Sequence, residues 1–236
     1  MTPKARPEFE GVLIDLFGTL VPAGPRVSRA PHLHQMAGTL GIDPVLFEKD
    51  WAGSFEERVS GHLGTLEETI RRIARRQGID PAPDRVRRAL ETRLAFTRSL
   101  LESCGPVLPG LDALRTAGLR LAVVSDSSEE PVRLWPSIAL GRRIETTVFS
   151  CVEGFCKPDP RMYQRALERL KLSADRCAFV GDGGSRELSG AESVGLAAFL
   201  YRFPDEPTGR ETRYDPDTEW KGVTINDLSD LLTSHR

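Results

Sequence analysis

The chain has 236 residues, of which 39% are hydrophobic and 28% are charged, and its formal net charge is −2. This composition is typical of a globular protein, and the chain is long enough to bury a core without disulfide or metal staples. The near-neutral balance gives no support for a nucleic-acid or anionic-membrane partner. No apolar run in the sequence is long enough to span a bilayer.

The four cysteines predict free thiols rather than a disulfide framework or a zinc site. No two of them form a CxxC pair; they are Cys104, Cys151, Cys156 and Cys177. A zinc site needs tighter spacing and more ligands. The segment before the first predicted strand lacks the long apolar stretch of a signal peptide. We therefore expect reduced thiols and a cytoplasmic location.

The first predicted element is a buried strand at GVLIDL (11–16), a short apolar run that ends in a turn. The stretch 21–104 that follows contains helical candidates and no convincing strand. Thr65 followed by Glu68 predicts a capping box at the start of one helix. Apolar residues at helical spacing predict a second helix over 84–101. An all-helical insert, or cap, is therefore expected directly after the first strand.

Beyond the insert, predicted helices and strands alternate. The helices include LDALRTAG and DPRMYQRALERLKL, and a short strand GVTI and a helix NDLSDLL close the chain. The strands are apolar or β-branched runs at 119–125, 146–150, 176–181 and 196–201. This alternation implies β-α-β units and an α/β fold with a doubly wound parallel sheet. We place the core domain at 1–20 and 105–236 and the helical cap domain at 21–104.

Polar residues follow the ends of four predicted strands. They are Asp15, Ser125 with Asp126, Lys157 in CKPD, and Asp182 and Glu187 in GDGGSRE. Because the carboxyl ends of parallel strands share one edge of a sheet, these side chains are expected to converge. A carboxylate can act as a covalent nucleophile, and Asp182 and Glu187 can hold Mg²⁺. Lys157 offers a charge to a phosphoryl oxygen, while Ser125 and the backbone of the Gly18 turn can donate hydrogen bonds.

These four motifs, in this order, resemble those of the haloacid dehalogenase-like hydrolases over nearly the whole chain. DLFGTL resembles the first motif of that superfamily, and the serine of VVSDSS resembles the second. The lysine of KPDP resembles the third motif, and GDGGSRE resembles the fourth. A helical cap after the first motif is typical of one large branch. The resemblance implies a Rossmann-like core and a hydrolase with a small-molecule substrate, as a monomer or homodimer, without nucleic-acid or membrane partners.

The resemblance also implies roles for individual residues. Asp15 would attack the substrate and carry a covalent intermediate, and the catalytic set would be Asp15, Thr19, Ser125 and Lys157. Substrate contacts would come from Phe17, Gly18 and Asp126. The cofactor would be Mg²⁺, and its ligands would be Asp15, the backbone carbonyl of Phe17, Asp182 and Glu187, the last directly or through water.

Phe17 departs from the pattern of the superfamily's phosphatases. They usually carry at this position a second aspartate that protonates the leaving group and then activates water. Phenylalanine cannot transfer a proton, and such help is typically worth about 10²–10⁴ in rate. The superfamily's haloacid dehalogenases carry an aromatic residue here and need no metal. Asp182 and Glu187 favour magnesium instead, because they would repel a substrate carboxylate unless a cation neutralised them.

Three hypotheses therefore remain open from the sequence. The first is a Mg²⁺-dependent phosphohydrolase whose leaving group needs no protonation, as with acyl phosphates or phosphonates, or whose acid comes from the cap. Candidates for that acid are His32, His34 and His62. The second is a dehalogenase-type hydrolase that uses Arg26 or Arg29 to bind halide and carboxylate. The third is a catalytically weak binding protein that keeps the pocket.

Overall fold

The computed structural model describes residues 8–22, 30–203, 215–218 and 220–233. In this part of the chain six strands form one parallel sheet in the order β3-β2-β1-β4-β5-β6. The strands are β1 (Gly11–Ile14), β2 (Arg120–Ser125), β3 (Thr146–Phe149), β4 (Cys177–Gly181), β5 (Ala197–Tyr201) and β6 (Val223–Ile225). β1 lies in the interior of the sheet between β2 and β4. The residue that follows β1 is therefore at the middle of the carboxyl edge.

Between residues 30 and 102 the chain is helical. The helices are α1 (Ala30–Leu40), α2 (Pro44–Gly53), α3 (Phe55–Val59), α4 (Leu66–Arg76) and α5 (Pro83–Glu102). The predicted capping box opens α4: Glu68 N–H donates to Thr65 Oγ1, and Thr65 N–H donates to Glu68 Oε2. The predicted helix over 84–101 is α5. The sequence reasoning did not identify α2, although Asp43 caps it and Pro44 occupies its first turn.

The insert has an apolar core of its own. Buried side chains from α1, α2, α4 and α5 pack together, among them Leu40, Phe47, Ile70, Ile73 and Ala89. The amphipathic faces of these short helices are thereby removed from water, which none could achieve alone. The division into a core domain (1–20 and 105–236) and a cap domain (21–104) stays a prediction.

Helices cover both faces of the sheet. They are α6 (Leu108–Thr116), α7 (Glu129–Leu134), α8 (Ser150–Glu153), α9 (Pro160–Leu170) and α10 (Glu187–Ser193). Val12 and Ile14 face one apolar cluster, to which α6 contributes, while Leu13 faces the other, to which α9 and α10 contribute. This alternation follows from the two-residue period of a strand. The predicted doubly wound α/β fold is confirmed.

Details near the carboxyl end differ from the prediction. The predicted closing helix is a 3₁₀ segment, Leu228–Leu232, which Asp227 caps. Ser150, predicted as the end of a strand, begins α8 instead. The four cysteines are free thiols. Among the residues described, no helix combines the length and the apolar character needed to cross a membrane.

Candidate active site

Asp15 is the first residue after β1, and its side chain is buried. Its backbone N–H donates to the carbonyl of Val180 in β4 at 2.9 Å, which ties the residue to the middle of the sheet. The hydroxyl of Thr19 donates to Asp15 Oδ2 at 3.3 Å. This contact orients the carboxylate, and it brings Thr19 next to Asp15 as expected for a member of the predicted catalytic set.

The turn after Asp15 brings the backbone against Asp182. Gly18 has a φ of +103°, and a Cβ at this position would lie 2.1 Å from Asp182 Oδ2. Both the backbone conformation and the lack of space therefore require glycine. The N–H of Gly18 donates to the carbonyl of Val21 at 2.6 Å. This N–H is therefore engaged inside the turn, and hydrogen bonds from the other N–H groups of the turn to a ligand stay a prediction.

Lys157 places a buried ammonium group between two carboxylates. Its Nζ donates to Asp15 Oδ1 and to Glu187 Oε2, each at 2.5 Å. Burial by itself lowers the pKa of this amine, but Asp15 and Glu187 outweigh it and raise the pKa well above the usual value. The backbone N–H of Lys157 donates to Asp126 Oδ1 at 2.9 Å. Asp126 thus holds this loop in place, in addition to lining the cavity described below.

The loop after β4 supplies two further buried carboxylates, Asp182 and Glu187. The N–H of Gly183 donates to Glu187 Oε1, and the N–H of Gly184 donates to Asp182 Oδ1, each at 2.9 Å. A Cβ at Gly181 would lie 2.2 Å from Glu187 Oε1. Gly181 therefore leaves room for Glu187, and the N–H groups of Gly183 and Gly184 hold the two acids in place.

Asp15, Asp182 and Glu187 each contribute an oxygen to a cluster in which these atoms lie within 4.8 Å of one another. Burial raises the pKa of Asp15 to about 6, with Lys157 opposing this effect and Asp182 adding to it. Burial, followed by the charge of Asp15, raises the pKa of Glu187 well above its usual value. We call these three acids, together with Lys157, the acidic end of the site.

The acidic end has the donor set of a magnesium site. Three carboxylates against one ammonium leave an excess of negative charge, and a divalent cation would balance it. Mg²⁺ is a hard ion that takes oxygen ligands, and the cluster consists of carboxylate oxygens. The residues present therefore fit the ion that the sequence predicted.

Ser125 ends β2 and is buried, and its Oγ has no hydrogen-bond partner among the described residues. A buried hydroxyl without a partner carries a desolvation cost that a ligand could relieve. This agrees with the hydrogen bond to a transferred group that the sequence predicted for Ser125.

A cavity of about 810 Å³ extends from the acidic end to the helical insert. Phe17, which is partly exposed, lines this cavity together with Asp15. The cavity is also lined by a second group of residues, from the insert and from α7: Trp51, Phe55, Arg58, Arg93, Phe96 and Glu130. We call Trp51, Arg58, Arg93 and Glu130 the arginine end.

Sequence reasoning did not find the arginine end. Arg58 lies on α3 and Arg93 on α5, and nothing in the sequence distinguishes them from the many solvent-exposed arginines of the insert. The arginines predicted to bind a substrate, Arg26 and Arg29, lie outside the described residues. Only the packing of α3 and α5 near the same tryptophan brings the two guanidinium groups to one cavity.

None of the three histidines proposed as an acid, His32, His34 and His62, is among the described residues that line the cavity. His34 pairs with Glu48 in an exposed position. The ring of His32 is buried, and its Nε2 lies 2.8 Å from Arg93 Nη1. The position of these rings gives no support for a histidine that replaces the acid missing at residue 17.

Comparison with known families identifies the class of this protein. A family model described as a haloacid dehalogenase-like hydrolase matches residues 9–195. This match covers most of the chain, and the chain belongs to the haloacid dehalogenase-like hydrolases. The resemblance drawn from the four motifs is confirmed.

Individual relatives differ in their named activities. Mouse haloacid dehalogenase-like hydrolase domain-containing protein 3 is 31% identical over 137 residues, which cover 58% of this chain and 52% of that protein. Glyceraldehyde 3-phosphate phosphatase of Methanopyrus kandleri is 27% identical over 203 residues, which cover 82% and 84%. The chain spans about half the length of the mammalian domain-containing relatives that it matches.

Solved structures agree with the fold. The 2-haloacid dehalogenase of Pseudomonas syringae superposes with a TM-score of 0.66 at 24% identity, covering 94% of this chain and 96% of that one. At this identity the similarity concerns the fold alone. The cytoplasmic location and the choice between monomer and homodimer stay predictions.

Proposed function

We propose that this protein is a Mg²⁺-dependent phosphohydrolase that forms a covalent aspartyl intermediate on Asp15 and acts on a small molecule. The observation that carries the proposal is the acidic end, where three buried carboxylates lie within 4.8 Å of one another and one ammonium touches two of them. A phosphoryl group is an anion that such a site can accept once a divalent cation is bound. When present, Mg²⁺ would offset the charge of the phosphoryl oxygens.

The side chains of this chain supply the remaining steps. An oxygen of Asp15 attacks the phosphorus, and a new O–P bond forms while the bond to the leaving group breaks. Lys157, 2.5 Å from Asp15, offsets charge on the transferred group, and the buried hydroxyl of Ser125 donates a hydrogen bond to it. Water then attacks the phosphorus and restores the Asp15 carboxylate. The O–P bond to Asp15 breaks in this step, and both protons of the water leave on the inorganic phosphate.

The cavity favours a leaving group that departs without a proton. Phe17 cannot donate one, and no histidine is among the described lining residues. Glu130 lines the cavity, but Arg93 and Arg58 outweigh its burial and lower its pKa. It is therefore ionised and a poor proton donor near neutral pH. Acyl phosphates, whose leaving group is a carboxylate, fit this site better than alkyl phosphates, whose alkoxide must be protonated.

Dehalogenase-type hydrolysis is the second candidate, and Phe17 is the observation that favours it. A 2-haloacid would bring its carboxylate close to Asp15. Asp182 and Glu187 lie against Asp15, and their charge would repel that carboxylate in the absence of a cation. The acidic end therefore ranks this candidate below the phosphohydrolase.

The test compares acetyl phosphate with glycerol phosphate as substrates of the purified protein, with Mg²⁺ and with a chelator. We expect Mg²⁺-dependent release of phosphate from acetyl phosphate and a much lower kcat/KM for glycerol phosphate. Asp15→Asn should reduce turnover by roughly 10³-fold or more, because it removes the nucleophile. Phe17→Asp should raise glycerol phosphate turnover by about 10²-fold by restoring a proton donor.

Phe17→Asn is the matched control, because it has nearly the same size as the aspartate variant but cannot transfer a proton. It should leave glycerol phosphate turnover low. Halide release from 2-chloropropionate that persists with the chelator would replace the phosphohydrolase by the dehalogenase. Equal rates for the two phosphate substrates in the unmodified protein would contradict the argument about the leaving group.

A further inference from the structure

The loop between Asp182 and Glu187 contains a backbone conformation that residues with a side chain rarely adopt. Ser185 has a φ of +52° and Arg186 has a φ of +47°, both in the left-handed region. Such a conformation costs energy and persists only where the surrounding structure holds it. The contacts that hold this loop therefore help to determine the direction of the two carboxylates.

Residues 215–217, which follow β5 in the chain, form backbone hydrogen bonds with this loop. The N–H of Arg186 donates to the carbonyl of Asp215 at 2.9 Å, and the N–H of Asp217 donates to the carbonyl of Gly183 at 2.8 Å. The two strands of chain are therefore joined at both ends of the strained stretch. We call residues 215–217 the clamp.

The carboxylate of Asp217 accepts three further hydrogen bonds from α10. The N–H groups of Leu188 and Ser189 donate to its Oδ2 at 2.8 and 3.3 Å, and the hydroxyl of Ser189 donates to its Oδ1 at 2.5 Å. A carboxylate that accepts from the first turn of a helix satisfies N–H groups that have no partner within the helix. The first residue of α10 is Glu187, so the clamp fixes the backbone beside a predicted magnesium ligand.

Asp217 thus binds the residue directly after each of the two acids. Gly183 follows Asp182, and Leu188 follows Glu187. The N–H of Gly183 in turn donates to Glu187 Oε1 at 2.9 Å, so a residue that the clamp holds also binds a carboxylate of the acidic end. Movement of either residue would therefore change the distances within the acidic cluster, whose oxygens lie within 4.8 Å of one another.

We propose that Asp217 is a positioning residue for the magnesium site, which holds Asp182 and Glu187 in the orientation that the ion requires. Its role toward Mg²⁺ rests on the proposed function, whereas its hold on the loop does not. Asp217 is not among the described residues that line the cavity, so it acts through the loop and not on the substrate. The family model matches residues 9–195, and Asp217 lies outside that part of the chain.

The affinity for Mg²⁺, measured by calorimetry on the full chain at a temperature at which each variant is folded, tests the proposal. Asp217→Ala removes the acceptor oxygens but keeps the backbone N–H. It should raise the Kd for Mg²⁺ at least about tenfold, as is typical when a residue that orients metal ligands is lost. Asp217→Asn keeps one acceptor oxygen and should raise the Kd less, by several-fold. Should Asp217→Ala fail to fold, Asp217→Asn takes its place.

Asp227→Ala is the matched control, because Asp227 caps the 3₁₀ segment Leu228–Leu232 with contacts of the same kind. Its Oδ1 accepts from the N–H and from the hydroxyl of Ser229, each at 2.8 Å. It is not among the described residues that line the cavity. The control should lower the urea midpoint and leave the Kd for Mg²⁺ unchanged. A purely structural role for Asp217 would give this same pattern.

Hydrogen exchange of single amides, followed by NMR in metal-free protein, reports on the loop itself. The informative amides are those of Gly183 and Gly184, because their acceptors, Glu187 and Asp182, are retained in Asp217→Ala. We expect both amides to exchange faster in this variant, since the loop is then free to leave its strained conformation. The amides of β1 should exchange at the same rate in both proteins.

An unchanged Kd for Mg²⁺ in Asp217→Ala would overturn the proposal. A raised Kd with unchanged exchange would also overturn it, because the lost affinity would then come from the missing charge of Asp217. The proposed function fails separately, if the unmodified protein binds no Mg²⁺ and releases no phosphate from acetyl phosphate. In that case faster exchange at the two amides would still support the hold of Asp217 on the loop, and unchanged exchange would overturn it.

Discussion

The acidic end and the arginine end line the same cavity, and they are built in different ways. At the acidic end, three carboxylates and Lys157 come from loops at one edge of a parallel sheet, and negative charge is in excess. At the arginine end, Arg58 and Arg93 come from two helices of the insert, and Glu130 comes from α7. The guanidinium carbons of both arginines lie near the ring of Trp51, at 4.7 and 5.0 Å from its centroid.

This difference shows that one cavity can combine groups held by the edge of a sheet with groups held by a helical insert. Under the proposed function, the acidic end would bind a cation before it accepts the phosphoryl group. Glu130 joins the two halves, because its helix follows the second motif in the sequence while its carboxylate binds an arginine of the insert.

The largest expected effect comes from removing the single ammonium of the acidic end. Lys157→Met leaves three buried carboxylates without their cation and should lower the free energy of unfolding by about 3–5 kcal/mol in metal-free protein. Urea denaturation at pH 8 measures this loss. Lys49→Met is the control, because Lys49 is exposed and its replacement should change stability by less than about 0.5 kcal/mol. A loss below 1 kcal/mol in Lys157→Met would contradict the charge balance described here.

A smaller effect is expected at the arginine end. Glu130→Gln removes the carboxylate that accepts from Arg93 and should cost about 1–3 kcal/mol. This loss is smaller than that expected for Lys157→Met because Arg93 is partly exposed and can donate hydrogen bonds to water instead. The same urea experiment applies, with the exposed Glu91→Gln on α5 as control. If Glu130→Gln lowers the free energy of unfolding as much as Lys157→Met does, the arginine end depends on its carboxylate as strongly as the acidic end depends on its ammonium group.

The smallest effect concerns the pH dependence of stability in metal-free protein. The pKa of Asp15 is raised to about 6 in the folded chain, above its value of 3.8 without burial. The stabilisation from this group is therefore complete below pH 4 and is lost as the pH rises through 6. Between pH 4.5 and 7, the urea midpoint of the unmodified protein should fall relative to that of Asp15→Asn, which has no proton to release at this position.

Added Mg²⁺ should oppose that loss, because the ion binds the ionised carboxylates of the folded state. We expect the stabilisation by Mg²⁺ to be greater at pH 7 than at pH 5. Parallel midpoints for the two proteins over the whole pH range would show that Asp15 titrates normally and that burial does not control its charge.

The acidic end was predictable because local sequence fixes most of it. Asp15, Lys157 and Asp182 each follow a recognisable apolar run or motif, and the parallel arrangement of the strands brings their loops to one edge. The sequence also showed the glycines of the turn. It did not show the close approach to Asp182 that makes glycine necessary at position 18. The distance from its missing Cβ to Asp182 depends on how two loops, far apart in the chain, pack together.

The sequence by itself determined where most of the strands lie along the chain and which motifs follow them, since local apolar runs mark the strands. The resemblance of the four ordered motifs to a known superfamily indicated the class of the protein. The tertiary structure alone decided which arginines of the insert line the cavity. Arg58 and Arg93 are 35 positions apart on different helices, and periodicity does not fix how those helices cross. Their meeting at Trp51 is a product of packing.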